Sequence, residues 1–285
     1  MLMQPIIFIN EPYERTLHLI GAETRVIRRF LSVDNGWNRH LYKYKNCNVV
    51  HLRNLIVDSC FYMSSRHQLN DPFDIRSVID FIDGGIDRPA YLKKLFAQFK
   101  TPYKSRKDIS RRLNSPAVIE QEIKNHLNKA IDLTGVHSFA ASPRSLLMWS
   151  HYADSHKGVC LVYETAKDLD TFVKALPVEY SKLFPVIQYS QDIARDLIRK
   201  AFLTKASDWY YEKERRIFEN GRAGQYMAYA PKALVGVILG ARISQTDESM
   251  VRGLLVEREQ KRHPSLELYR ATCQESAYAV KLYRA

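Results

Sequence analysis

Three polar side chains crowd one short stretch, His151, Asp154 and His156 within Met148–Glu164, which reads M-W-S-H-Y-A-D-S-H-K-G-V-C-L-V-Y-E. A histidine beside a carboxylate moves protons near neutral pH. On a helix His151 and Asp154, at i and i+3, lie close together, and so do Tyr152 and His156 at i and i+4. The stretch makes a poor zinc site, because five residues of helix place the two imidazoles about 140° apart. A second set is the carboxylate pair Glu212 and Glu214 in W-Y-Y-E-K-E-R-R, Trp209–Arg216. Extended backbone projects both from one face, where one glutamate among aromatic side chains could stabilise positive charge on a sugar carbon. A third is N-D-P-F-D, Asn70–Asp74, whose amide and carboxylates at a helix start suit hydroxyls or a cationic ring better than phosphate. Each set also has a plain structural reading: a satisfied polar core, a surface charge ladder and a helix-start signal.

The elements that would hold these groups follow from patterning. Ser142-Pro143 reads as an N-cap with proline at the first helical position, and Lys157-Gly158 as a basic last turn with a glycine stop, so the His151 helix has both ends marked. Val159–Tyr163 follows as a short buried strand. A helix is expected over Glu14–Leu31, a turn at Asp34-Asn35-Gly36, and strands over Arg39–Lys45 and Leu55–Ser64. Asp71 opens a helix running to about Ile82, and residues Pro89–Leu133 are helical, broken at Pro102 and Pro116. Strands are expected at Gly135–Ala140, Val178–Tyr189, Glu214–Phe218, Ala233–Gly240, Leu266–Arg270 and Ala279–Tyr283. Helices are expected over Gln191–Trp209 and Asp247–His263. Strands outnumber the possible crossovers, which predicts an α+β fold with a mixed, mainly antiparallel central sheet. Residues 1–285 read as a single domain with a basic helical insertion at about 89–133.

Charge narrows the partners. The chain has 43 Lys plus Arg against 31 Asp plus Glu, a net +12, which favours polyanions and nucleic acid first. The excess concentrates in Lys93, Lys94, Lys100, Lys104, Arg106, Lys107, Arg111 and Arg112, with Phe96, Phe99 and Tyr103 interleaved. That segment is a solvated helix pair or a groove on which bases stack. Cys47, Cys60, Cys160 and Cys273 are scattered without a C-x-x-C pair, as in a reduced cytoplasmic protein. No export leader or membrane span is expected. P-loop, Rossmann, hydrolase-elbow and zincin signatures are missing as well.

Several motifs together carry a resemblance: L-Y-K-Y-K at Leu41–Lys45, N-D-P-F-D at Asn70–Asp74, L-M-W-S-H-Y-A-D-S-H-K-G-V-C at Leu147–Cys160, W-Y-Y-E-K-E-R-R at Trp209–Arg216 and V-I-L-G at Val237–Gly240. In this order they resemble the bacterial family catalogued as a domain of unknown function, numbered 2971. A looser resemblance is to ADP-ribosyltransferases, which place a His or Arg on an early strand, a Ser or Tyr on a middle strand and a Glu on a late one. Here His40 or Lys43, then Tyr62 or Ser64, then Glu212 and Glu214 occupy that order, and Lys43 departs from the usual His or Arg. What the resemblance implies is NAD as substrate, with Tyr42, Lys43, Tyr62, Ser64, Asn70 and Asp74 holding it and Glu214 or Glu212 stabilising the sugar cation. His151 lines the same pocket.

The leading expectation is a toxin-like cytoplasmic bacterial effector, in a setting such as antiphage defence, that cleaves NAD and transfers ADP-ribose to nucleic acid. Lys100, Lys104, Arg106, Lys107, Arg111 and Arg112 would grip the nucleic acid, an inhibitory protein or nucleoprotein would be a further partner, and no metal or membrane is called for. One alternative is a metal-independent ribonuclease using His151 with Asp154. The other is a non-catalytic module binding nucleic acid or a protein partner.

Overall fold

A computed structural model describes residues 39–81, 85–189, 192 and 194–285, so the helix expected over Glu14–Leu31 and its following turn lie outside the described residues. The fold is α+β. Its main sheet contains β1 (His40–Lys45), β2 (Gly135–Ala140), β3 (Val159–Glu164), β4 (Leu176–Pro177), β5 (Glu214–Glu219), β6 (Leu234–Leu239), β7 (Glu267–Cys273) and β8 (Val280–Arg284). The order across the sheet is β8-β7-β6-β3-β1-β2-β5-β4. Every pairing is antiparallel except β6 with β7, where the chain returns through the helix Gln245–Gln260.

Successive side chains of a strand point to opposite faces, and both faces are covered. One face buries Leu41, Leu161, Tyr163, Ile217 and Val237 with Leu52 and Phe61. The other buries Tyr44, Cys160 and Ile238 with Met148 and Trp149 of the helix Leu146–Tyr152. Helices α2 (Arg88–Gln98), α3 (Tyr103–Arg112) and α4 (Pro116–Leu133) follow one another before β2, with α1 (Val49–Ile56) after β1. Pro102 and Pro116 stand at the starts of α3 and α4, and Tyr91, Leu95, Ile119 and Ile123 form a cluster between α2 and α4. α3 buries none of its residues, which leaves Lys104, Lys107 and Arg111 facing outward, whereas Arg106 turns back to the Thr101 carbonyl and over the Phe96 ring.

Several sequence expectations give way. Leu55 and Ile56 belong to α1, and only Cys60–Met63 is strand, paired with Gln225–Ala228 in a separate ribbon. The helix expected from Asp71 does not form. Asp71 accepts from the Phe73 N–H and Asp74 from the Ile75 N–H, local bonds that compete with helix, and the chain turns into the short strand Val78–Asp80. Val178–Tyr189 divides into Glu179–Ser181 and Val186–Gln188. Gln191–Trp209 becomes the helix Ala194–Phe202, the strand Thr204–Ala206 and a 3-10 turn Ser207–Glu212.

The feature that makes room for a site is a gap in the main sheet. β1 pairs with β3 along its whole length but meets β2 only at Tyr42 opposite Ala140. Beyond that pair the ladder stops, and Lys43 reaches across to donate to the Ser138 carbonyl at 2.6 Å.

Candidate active site

A cavity of about 540 Å³ opens at this gap. Its wall includes Tyr42, Lys43, Asn70, Asp74, His151, Tyr152, Glu212 and Glu214. The three separate sequence motifs thus converge on one space, together with the LYKYK strand. Tyr62, Ser64 and His40 do not line it. Tyr62 accepts from Gln68, Ser64 bridges to Val136, and His40 pairs with Glu164 in the sheet.

The floor is a buried charge network. Lys205 donates to Glu212 at 2.5 Å and to Glu214 at 3.1 Å and lies 3.6 Å from Asp74. Arg216, fully buried, donates to Glu214 from Nε at 2.8 Å and from Nη2 at 2.9 Å. The same guanidinium donates to Asp74 at 3.1 and 2.9 Å and to the Phe202 carbonyl at 2.8 Å. Within the cluster Asp74, Glu212 and Glu214 face Lys205 and Arg216, and Lys43 and Lys45 line the same cavity, so lysines offset the one carboxylate that the cluster has in excess. Because Lys205 lies between the three carboxylates, they serve a cation already supplied by the chain. Among the described residues, no His, Cys, Asp and Glu group is arranged to hold a metal ion.

The two glutamates have opposite environments. Burial would push Glu214 up, but Arg216 and Lys205 outweigh it and hold its carboxyl well below the usual carboxylate range. Glu212 lacks the guanidinium, and burial together with the charge of Glu214 outweighs Lys205 and pushes it up. Two neighbouring carboxyls driven apart in this way suit different tasks, Glu214 fixed by the guanidinium and Glu212, which shares Lys205 with it, the one suited to exchange a proton. Tyr152 donates to Glu212 at 2.5 Å and accepts from the Asn70 amide at 3.1 Å, so the NDPFD corner reaches the glutamate through a tyrosine. Burial first, then Lys45, brings the Lys43 ammonium down to about 7, and it carries only part of its charge at neutral pH.

Backbone strain gathers at the same residues. Lys213, between the two glutamates, has φ +44°, and Ile75, buried and next to Asp74, has φ +52°. A β-branched residue in the left-handed region is an outlier that surrounding contacts must hold in place. The left-handed Lys213 ends the 3-10 turn, and through it Glu212 and Glu214 reach the same ammonium. Their convergence comes from this turn, not from the two-residue period of a strand expected from sequence.

The His151 helix also differs from expectation. It spans Leu146–Tyr152 with Ser145 as its cap, and Asp154, Ser155 and His156 follow in left-handed conformation. With the helix ended, the His151–Asp154 and Tyr152–His156 pairs do not form. His151 instead shares a 2.9 Å hydrogen bond with Tyr211, and His156 stacks on Trp149. The turn closes against glycines: a Cβ on Gly158 would lie 2.1 Å from the Lys45 carbonyl, and one on Gly240 2.2 Å from that of His156.

Neither Lys205 nor Tyr180, whose hydroxyl accepts from the Glu214 backbone N–H at 2.8 Å, stands out in the sequence. Arg216 stood inside the W-Y-Y-E-K-E-R-R motif, where its spacing of two from Glu214 was the available signal. Lys205 gave none.

The part of the chain that carries Tyr152, Lys205, Glu212, Glu214 and Arg216 is also the part with a known likeness. Residues 148–217 match the model of a family described as protein of unknown function (DUF2971). The match covers the helix with His151 and the glutamate motif, and stops short of Lys43 and Asn70–Asp74. No curated protein and no solved structure matches the chain. No helix among the described residues is long and apolar enough to cross a membrane.

Proposed function

We propose that the cavity is an active site that breaks the N-glycosidic bond of an NAD-type dinucleotide and transfers the ADP-ribosyl group, with Glu212 as the residue that meets the sugar cation. The observation that carries this reading is the split between the two glutamates. Both glutamates take Lys205, but Glu214 is held by Arg216 as well, while Glu212 has no guanidinium, a raised pKa and a tyrosine donor. The rings of Tyr42, Tyr44 and Tyr152 beside the Glu212 carboxyl favour a flat cationic group. In the step, the bond from the ribose carbon to the nicotinamide nitrogen breaks and its electron pair neutralises the pyridinium. The oxocarbenium-like carbon is stabilised by the Glu212 carboxylate until an acceptor oxygen or nitrogen attacks, and the acceptor's proton passes to Glu212 or to solvent.

The acceptor in this reading is nucleic acid, supported by the net charge of +12 and the outward lysines of α3. A toxin-like role with an inhibitory partner is the setting that such an activity suggests. The ribonuclease alternative calls for His151 oriented by Asp154, whereas His151 shares its hydrogen bond with Tyr211. The test is incubation with NAD and nucleic acid, following nicotinamide release and mass added to the acceptor. Wild type releases nicotinamide, and Glu212→Gln lowers the rate by about a hundredfold or more. Absence of release by the wild type, or an unaffected Glu212→Gln, overturns the reading.

A further inference from the structure

A second cavity, of about 590 Å³, adjoins the first and shares Leu69, Asn70 and Asp74 with it. Its chemistry is different. It is lined by Arg66, His67, Arg76, Asn128 and Phe184, so guanidinium and amide donors surround the one carboxylate, Asp74, that the two cavities share. Asp132 accepts from Arg66 at 2.6 Å and lies 2.7 Å from the His67 ring nitrogen, which fixes both side chains. Arg76 makes no ion pair among the described residues and lies over the Phe73 ring at 5.7 Å. Phe73 packs against Phe184 with centroids 6.3 Å apart, yet the two rings are 59% and 45% exposed. Two large aromatic rings left open beside an unpaired guanidinium form the platform on which a base stacks while its phosphate meets the arginine.

We propose that the second cavity is a nucleotide subsite, in which Phe184, backed by Phe73, stacks a nucleobase and Arg76 takes the attached phosphate. Two joined cavities that share Asp74, one with Glu212 and Glu214 in its wall and the other with Arg66 and Arg76, suit a ligand with a positive ring at one end and a nucleoside phosphate at the other. This deepens the reading above and rests on it for which end reacts. The base and phosphate belong either to a free dinucleotide or to a nucleic acid strand, and the chemistry of the subsite is the same for both.

The test is calorimetric titration of the full chain with ADP and, separately, with a short single-stranded oligonucleotide, using wild type, Phe184→Ala and Arg76→Ala. ADP is expected to bind, and Phe184→Ala and Arg76→Ala each to weaken it by about tenfold. An oligonucleotide that displaces ADP identifies a strand as the source, and one that does not identifies the free dinucleotide; either supports the subsite. No ADP binding by wild type, or affinity unmoved in both subsite variants while circular dichroism shows them folded, overturns it. ADP binding as described with no nicotinamide release defeats the catalytic reading alone, and release without ADP binding defeats the subsite alone.

Discussion

Replacing Arg216 with methionine removes the five hydrogen bonds that its guanidinium gives to Glu214, Asp74 and the Phe202 carbonyl. The methionine fills much of the space, so the loss is electrostatic more than a cavity effect. Before the change, three carboxylates meet two cations; afterwards three meet Lys205 alone. Removing one partner of a buried ion pair costs about 3–5 kcal/mol because the remaining charge stays buried and uncompensated. Set against a typical unfolding free energy of about 5–15 kcal/mol, that is a large share of the total. The cost also has a pH signature. In the wild type Glu214 is held below its unfolded value, so its contribution is present above the ordinary carboxylate pKa and is lost as pH falls toward the folded value. In Arg216→Met the freed carboxyls take up protons at higher pH, so the gap between variant and wild type is widest at neutral pH and narrows below about pH 4–5. Urea unfolding followed by circular dichroism at pH 7 and pH 4 measures both values. A loss of under about 1 kcal/mol at pH 7, or one that does not narrow on acidification, would refute the network as the anchor of the site.

Tyr152→Phe removes the hydroxyl that helps keep Glu212 ionised, so Glu212 moves up further, and the acid limb of the pH profile for nicotinamide release shifts to higher pH; a limb that stays in place or moves down refutes the assignment. Lys43, brought down to about 7, should acetylate with a midpoint near that pH in competitive labelling read by mass spectrometry; a midpoint at the ordinary lysine value of about 10.4 refutes its placement. The folded state binds the Lys43 proton less tightly than the unfolded chain, so its effect on stability worsens as pH falls from about 10.4 to about 7. Lys43→Met should therefore compare more favourably with wild type at pH 7 than at pH 10. Gly158→Ala forces a Cβ against the Lys45 carbonyl and should cost about 1–3 kcal/mol in thermal or urea unfolding; a neutral outcome would show that the turn after Tyr152 yields easily.

How much of this was legible in the sequence depends on whether a group's role was local. β2, β3, β5 and β6 were readable because a short apolar or alternating run suffices to mark a strand, and the insertion helices because Pro102 and Pro116 punctuate them. The corner Asn70–Asp74 misled for the opposite reason. Asp-Pro carries a helix-start signal, yet Asp74 is taken by Arg216, 142 residues away, and the nearby backbone bonds to its own side chains instead. That long-range ion pair outweighs a local propensity of about 1 kcal/mol.

The same logic explains which site residues were visible. Glu212 and Glu214 stand out as neighbours in the chain, but what separates their tasks is Arg216 on the strand and Lys205 on a different one, and no spacing rule links Lys205 to either glutamate. His151 was conspicuous and proved secondary, since its helix ends one residue later and its partner is Tyr211. Tyr152 beside it, an unremarkable helical tyrosine in sequence, is the residue that joins Asn70 to Glu212. The difference between the two carboxyls at this cavity therefore depends less on the groups that attract attention in sequence than on the neutral donor Tyr152 and the buried cations Lys205 and Arg216 that set them apart.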